Sequence, residues 1–116
     1  IYLFKCGYDA WSASYFVEDM KNTFGASVIE PVIQGKKTLS SPMKSLGADL
    51  EKKKVVYNNN PILKWCLANT SIDVDKNDNI QPCKGNQGTR RIDGTAGLLD
   101  AYVTLENHLE EYLSVI

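Results

Sequence analysis

The first nine positions, Ile1-Tyr2-Leu3-Phe4-Lys5-Cys6-Gly7-Tyr8-Asp9, are apolar in an almost unbroken run. Such a run predicts a buried strand that ends on a carboxylate. From Ala10 to Phe24 the spacing becomes helical, with Trp11, Tyr15, Met20 and Phe24 on one stripe, Phe16 and Val17 beside them, and Gly25 placed to stop the helix. Ser27 to Gln34 carries enough aliphatic residues for a second strand, and Pro31 assigns it an edge position or a bulge. Gly35-Lys36-Lys37-Thr38 reads as a polar loop. Ser40 or Ser41 then suits the N-cap of a helix to about Lys54, with Pro42 in its first turn and Met43, Leu46 and Leu50 on one face.

Val55-Val56-Tyr57 is a short strand candidate, closed by an Asn58-Asn59-Asn60-Pro61 turn. Asn60 can cap a helix begun by Pro61 and carrying Ile62, Leu63, Trp65, Cys66 and Leu67. Ser71–Val74 and Asn79–Gln81 flank Asp75-Lys76-Asn77-Asp78 as a hairpin with a polar tip. Lys84 to Arg91 is a basic, Gly-rich loop. From Ile92 the last helix runs to about Leu113, with Ile92, Ala96, Leu99 and Val103 in one row and Leu98, Tyr102, Leu105, Leu109 and Tyr112 in another. Strands alternating with helices predict an α/β layered domain.

Composition narrows the function only a little. At 116 residues the chain is one domain or part of one. Its formal net charge of −1 gives no global attraction to nucleic acid, so any DNA contact must come from local basic patches. The three cysteines, Cys6, Cys66 and Cys83, fit no Cys-x-x-Cys metal spacing; Cys6 and Cys66 sit in apolar runs as core residues, in keeping with a reducing compartment. No apolar run approaches the ~18 residues of a membrane span, and no secretory signal is visible. The strand-like opening without an initiator methionine reads as a trimmed piece of a longer protein.

Two carboxylates stand where chemistry would need them. Asp9 ends the first strand, and ligands of open α/β sheets gather outside the carboxyl ends of strands. The competing reading is a turn or N-cap aspartate. Asp93 opens the last helix directly behind Arg90-Arg91-Ile92. As a first-turn acid it would be stabilised by the helix dipole at roughly 0.3–1 kcal/mol, and the same dipole keeps it ionised, as a metal ligand must be. Magnesium and manganese prefer oxygen ligands, commonly one or two carboxylates with water and phosphate oxygens. Two such ions about 4 Å apart activate a water and stabilise a leaving oxygen in phosphodiester cleavage. That chemistry expects at least three acids, and this chain offers two good candidates. Lys84, Arg90 and Arg91 share the loop leading into Asp93 and suit DNA phosphates, as do Lys36 and Lys37; contacts of this kind grip the backbone without reading sequence. Lys52-Lys53-Lys54 lies at a helix C-terminus, where the dipole alone accounts for cations.

Other motifs fail. Gly35-Lys36-Lys37-Thr38 has Glu30 where a phosphate-binding loop needs its upstream glycine and Lys37 where it needs Ser or Thr. Asp73, Asp75 and Asn77 imitate a calcium loop, but Asp78 replaces its glycine and Lys84 its final glutamate. The lone His108, within an acidic stretch of helix, reads as a solvated surface residue with no nucleophile to pair with.

Taken in order, Gly7-Tyr8-Asp9-Ala10-Trp11, Gln34-Gly35, Leu39-Ser40-Ser41-Pro42-Met43, Asn60-Pro61-Ile62-Leu63-Lys64-Trp65 with Asn69, Asn79-Ile80-Gln81-Pro82 with Lys84, and Arg91-Ile92-Asp93-Gly94 resemble the C-terminal part of the nuclease domain of tailed-bacteriophage terminase large subunits. Each piece is short, but the set covers nearly the whole chain. The resemblance implies a ribonuclease H-like fold, a mixed central sheet with flanking helices. It implies a two-metal endonuclease, using magnesium or manganese, that cuts concatemeric viral DNA during genome packaging. Partners implied are double-stranded DNA, the terminase small subunit and the portal, in the cytoplasm of the bacterial host. In that family one acid ends the first strand, a second follows a later strand and a third opens the last helix. Asp9 matches the second and Asp93 the third, so residues 1–116 are expected to lack the first acid, the opening strands and the packaging ATPase domain. The isolated fragment is then expected to be inactive or strongly impaired, with an exposed sheet edge. Lys84 matches a family lysine; Ala10 departs from a frequent proline with little expected consequence. Two alternatives stand beside this reading: a non-catalytic DNA-gripping module, and another nuclease of the same fold such as a junction resolvase or transposase.

Overall fold

A computed structural model describes residues 2–11 and 14–116. The expected strand start at Ile1 and the part of the first helix over residues 12–13 lie outside the described residues. Strand β1 (Cys6–Asp9) pairs in parallel with β2 (Ile29–Val32), with Cys6 opposite Ile29 and Asp9 opposite Val32. Regular pairing begins at Cys6, whose N–H donates to Val28 O at 2.9 Å, because β2 offers only four partners. Helix α1 (Ser14–Phe24) connects them. Pro31, opposite Tyr8, is tolerated because β2 is an edge strand of this two-stranded sheet.

Helix α2 (Lys36–Glu51) starts earlier than expected. Lys36 and Lys37 form its first turn rather than a loop, Gly35 occupies the N-cap, and Pro42 lies inside the helix. Neither Ser40 nor Ser41 is a cap. Ser40 is buried, and its Oγ accepts the Ile80 N–H at 3.0 Å, a contact 40 positions away. Val55–Tyr57 forms no strand; Val55 packs against the core and Val56 is exposed. Helix α3 (Pro61–Asn69) follows the predicted local code, with Asn60 Oδ1 accepting from the N–H groups of Ile62 and Leu63 at 3.0 and 3.1 Å.

Strands β3 (Ser71–Val74) and β4 (Ile80–Cys83) make the antiparallel hairpin, and α4 (Asp93–Val115) closes the chain. The hairpin tip is built as read. Asp75 accepts from Asn77 and Asn79 N–H, and the Asn79 bond is the main cause of its lowered pKa. The hairpin lies on α2 through Ser40, through Lys36 and through Lys44 Nζ, which donates to Asp78 O at 2.8 Å. Among the described residues the strands thus form two separate pairs, β1–β2 and β3–β4, where one central sheet was expected.

The core lies between α2, α4 and the β1–β2 pair. Val32, Leu39, Leu46, Leu99 and Val103 are buried together, with Met43, Leu50, Leu98 and Tyr102 around them. Of the cysteines, Cys66 is buried and Cys6 is partly covered. Close packing of β1 on α4 depends on Gly7. A Cβ there would stand 2.1 Å from Thr104 Oγ1 and 2.8 Å from Val32 Cγ2, well inside contact distance. His108 is not the solvated residue expected. Its side chain is 19% exposed, with Nε2 against Glu30 Oε1 on β2 and Nδ1 3.1 Å from Glu111 Oε1, at a break in α4 where its φ is −126°.

Candidate active site

The direction of β1 along α4 sets the site. Phe4 stacks obliquely on Tyr112 with ring centres 5.9 Å apart, and three residues later Gly7 faces Thr104 and the Asp100 carbonyl. The strand therefore runs antiparallel to α4 and delivers Asp9 toward the N-terminal half of the helix, the half that begins at Asp93. Asp9 Oδ1 accepts the Trp11 N–H at 2.9 Å, so the carboxylate also shapes the turn that leaves the strand. Asp93 is exposed on the first turn of α4, where the helix dipole favours its charge.

Asp100 is the acid beside Asp9 that the sequence reading missed. It is buried, 7% exposed, and its Oδ1 accepts from Gln34 Nε2 at 3.2 Å. Burial chiefly raises its pKa, against the lowering effect of the Gln34 hydrogen bond and with help from the neighbouring Asp9 charge. It stands seven positions from Asp93, about 10 Å along the helix axis at ~1.5 Å per residue. A signal was present: Asp100 sits in the middle of Leu98-Leu99-Asp100-Ala101-Tyr102-Val103, next to the apolar row that faces the core. Gln34 also donates to Val32 O at 3.1 Å, so one carboxamide ties the end of β2 to α4.

The basic candidates occupy different environments. Lys36 and Lys37 follow Gln34 closely and open α2. Lys36 is committed to Asp73, Nζ to Oδ2 at 3.0 Å, and Asp73 also accepts from Gln81 at 3.0 Å. The Gln81 bond, then the Lys36 bond, lowers the Asp73 pKa. Lys37 is exposed. Arg90 is half-buried, its Nε donating to Gln87 Oε1 at 2.8 Å within the loop; Arg91 is exposed and Lys84 partly covered.

Chemically, the arrangement offers two oxygen-donor side chains on rigid ends, Asp9 and Asp93, with cations on the loop ahead of one of them. That donor type suits a hard divalent cation. Among the described residues no three His, Cys, Asp or Glu side chains gather as a group that could hold a metal ion.

Comparison with known proteins decides the lineage. Residues 3–108 match the family described as terminase large subunit, endonuclease domain. The chain belongs to that family. It is also similar to Protein YmfN of Escherichia coli (strain K12), with 31% identity over 91 residues, covering 70% of this chain and 20% of that protein. The chain thus spans about a fifth of the length of this curated relative. No solved structure matches it. Among the described residues of this terminase-family chain, no helix is long and apolar enough to cross a membrane.

Proposed function

We propose that this chain is the C-terminal portion of the nuclease domain of a phage terminase large subunit. In this reading the whole protein is a metal-dependent DNA endonuclease that cuts concatemeric viral DNA during packaging. The domain has a ribonuclease H-like fold, and its opening strands and the ATPase domain lie upstream. The observation that carries the reading, beside the family match, is the antiparallel run of β1 on α4, which sends Asp9 toward the helix half that Asp93 opens.

Asp9 and Asp93 would hold magnesium or manganese from this chain, with a further acid from upstream. When bound, the ions would polarise the attacking water and neutralise charge on the leaving oxygen. Arg91, Lys37 and Lys84 hold the phosphate backbone, and Arg90 stiffens the loop through Gln87. Lys36 contributes to DNA only as far as its pairing with Asp73 allows. The small subunit and portal are its packaging partners, in the cytoplasm of the bacterial host.

Nicking of supercoiled plasmid with manganese tests this. In the whole protein, Asp9→Asn and Asp93→Asn each abolish cutting, and the isolated 116-residue chain is inactive or strongly impaired. Robust nicking by the isolated chain, lost in Asp93→Ala, would overturn the claim of an upstream acid. Normal cutting by both asparagine variants would replace the nuclease reading with that of a DNA-gripping module.

A further inference from the structure

Helix α4 begins without a conventional cap. Ile92 occupies the N-cap position and supplies no side-chain hydrogen bond, so nothing in the local code fixes the turn that carries Asp93. The end of α3 fixes it instead. Asn69 Nδ2 donates to the Arg91 carbonyl at 3.0 Å, two positions before Asp93. On the other side, Thr70 Oγ1 donates to Cys66 O at 2.8 Å and lies 2.9 Å from the hydroxyl of buried Thr95, which supplies the second hydrogen. Between these two ties, Gly94 lets α3 approach: a Cβ there would stand 3.1 Å from Leu63 Cδ1 and 3.2 Å from Cys66 Sγ. Asp93 is thereby held from both flanks by a different helix.

We propose that Asn69 is a positioning residue for the proposed nuclease centre. Acting through the Arg91 carbonyl, it fixes the segment Arg91-Ile92-Asp93, and with it the relation of the Arg91 cation to the Asp93 carboxylate. The inference rests on the nuclease reading for its effect on cutting, but not for its effect on the segment. The bond lies at the surface and bridges two helices already packed through Cys66 and Leu63, so its loss leaves the fold standing while the catalytic turn gains freedom.

The experiment uses the whole protein with Asn69→Asp, which replaces the amide donor by an oxygen of equal size facing the Arg91 carbonyl, and Asn69→Ala, which removes the group without repulsion. Three readouts are taken: manganese-dependent plasmid nicking, affinity for the same DNA without metal, and amide hydrogen exchange of Ala96, whose N–H is bonded to the Ile92 carbonyl. Nicking is expected to fall about 10- to 100-fold, the scale of a ~1 Å misplacement of a reacting group. Exchange at Ala96, whose N–H donates to Ile92 O at 2.9 Å, rises at least about tenfold, as expected when a local tie is opened, while the unfolding midpoint and DNA affinity stay near wild type. Wild-type exchange in both variants overturns the proposal, as does wild-type nicking by both when Asp93→Asn is inactive. If Asp93→Asn itself cuts normally, the nuclease reading fails, and the exchange data alone decide whether Asn69 holds the segment. If Asn69→Asp does not fold, Asn69→Ala decides on the same readouts.

Discussion

Gly7→Ala perturbs the contact that aims Asp9. The added methyl group would stand 2.1 Å from Thr104 Oγ1, 2.8 Å from Val32 Cγ2 and 3.1 Å from the Asp100 carbonyl oxygen. Comfortable separations are ~3.5–4 Å, so either β1 lifts from α4 by about 1 Å or Thr104 rotates away. Rotation breaks the buried bond from Thr104 Oγ1 to Asp100 O, which measures 2.8 Å. Overpacking of this kind costs ~1–3 kcal/mol, and a lost buried hydrogen bond adds ~0.5–1.5 kcal/mol. The smaller unfolded-state freedom of alanine returns ~0.5–1 kcal/mol, leaving a net destabilisation of about 2 kcal/mol. Urea unfolding measures it. Thr104→Ala removes the nearest obstructing atom, so the double variant should be more stable than the two single effects summed, with a coupling of about 1 kcal/mol. Because Asp9 lies two positions along the same strand, nicking should fall further than the lost stability explains. A Gly7→Ala protein with the wild-type midpoint, or strict additivity with Thr104→Ala, would refute the packing of β1 on α4 described here.

Three further outcomes are expected. Asp100 has its pKa raised above the ordinary 3.8, chiefly by burial; its native state therefore binds the proton more tightly than the unfolded chain, and the associated stability, present below 3.8, is lost as pH rises through the folded value. Asp100→Asn should therefore gain stability relative to wild type between pH 4 and pH 8 (test values) in metal-free buffer, and a pH-independent difference in urea midpoint would contradict this. Asn60→Ala, which deletes the cap of α3, should cost about 1 kcal/mol in the same assay. Arg91→Ala should lower the salt dependence of DNA binding by about one phosphate contact, whereas Lys36→Ala, whose ammonium is held by Asp73, should change it less; the order reversed would remove Arg91 from the DNA face.

Features written in local chemistry were legible in the sequence. Asn60-Pro61 specified its helix start, Asp75 its hairpin tip, and the apolar run into Asp9 a strand end, because each depends on neighbours within a few positions. Asp93 at the mouth of α4 was legible for the same reason. What escaped was set by distant partners. Ser40 looks like a helix cap until the hairpin brings Ile80 N–H to it, and α2 starts four positions before it. Val55–Tyr57 has strand composition, yet only Val55 packs on the core and no strand forms. His108 looks solvated along its own helix, yet β2 brings Glu30 against it. Asp100 lies in mid-helix, away from the element ends where charge is informative, and its burial against Gln34 is a tertiary fact. Of the candidate site, the two acids and the basic loop were visible in the sequence; the tie from Asn69 to Arg91 O was not, since a side chain-to-backbone bond across 22 positions leaves no periodic trace.

In the proposed nuclease, Asp9 and Asp93 serve one cation centre. Anomalous diffraction from crystals of the whole protein soaked in manganese tests it most directly. A peak is expected with a carboxylate oxygen of Asp9 and one of Asp93 in a single metal centre, completed by an acid from the upstream part of the protein. A manganese peak bound by either aspartate without the other, or at a site containing neither, would contradict it.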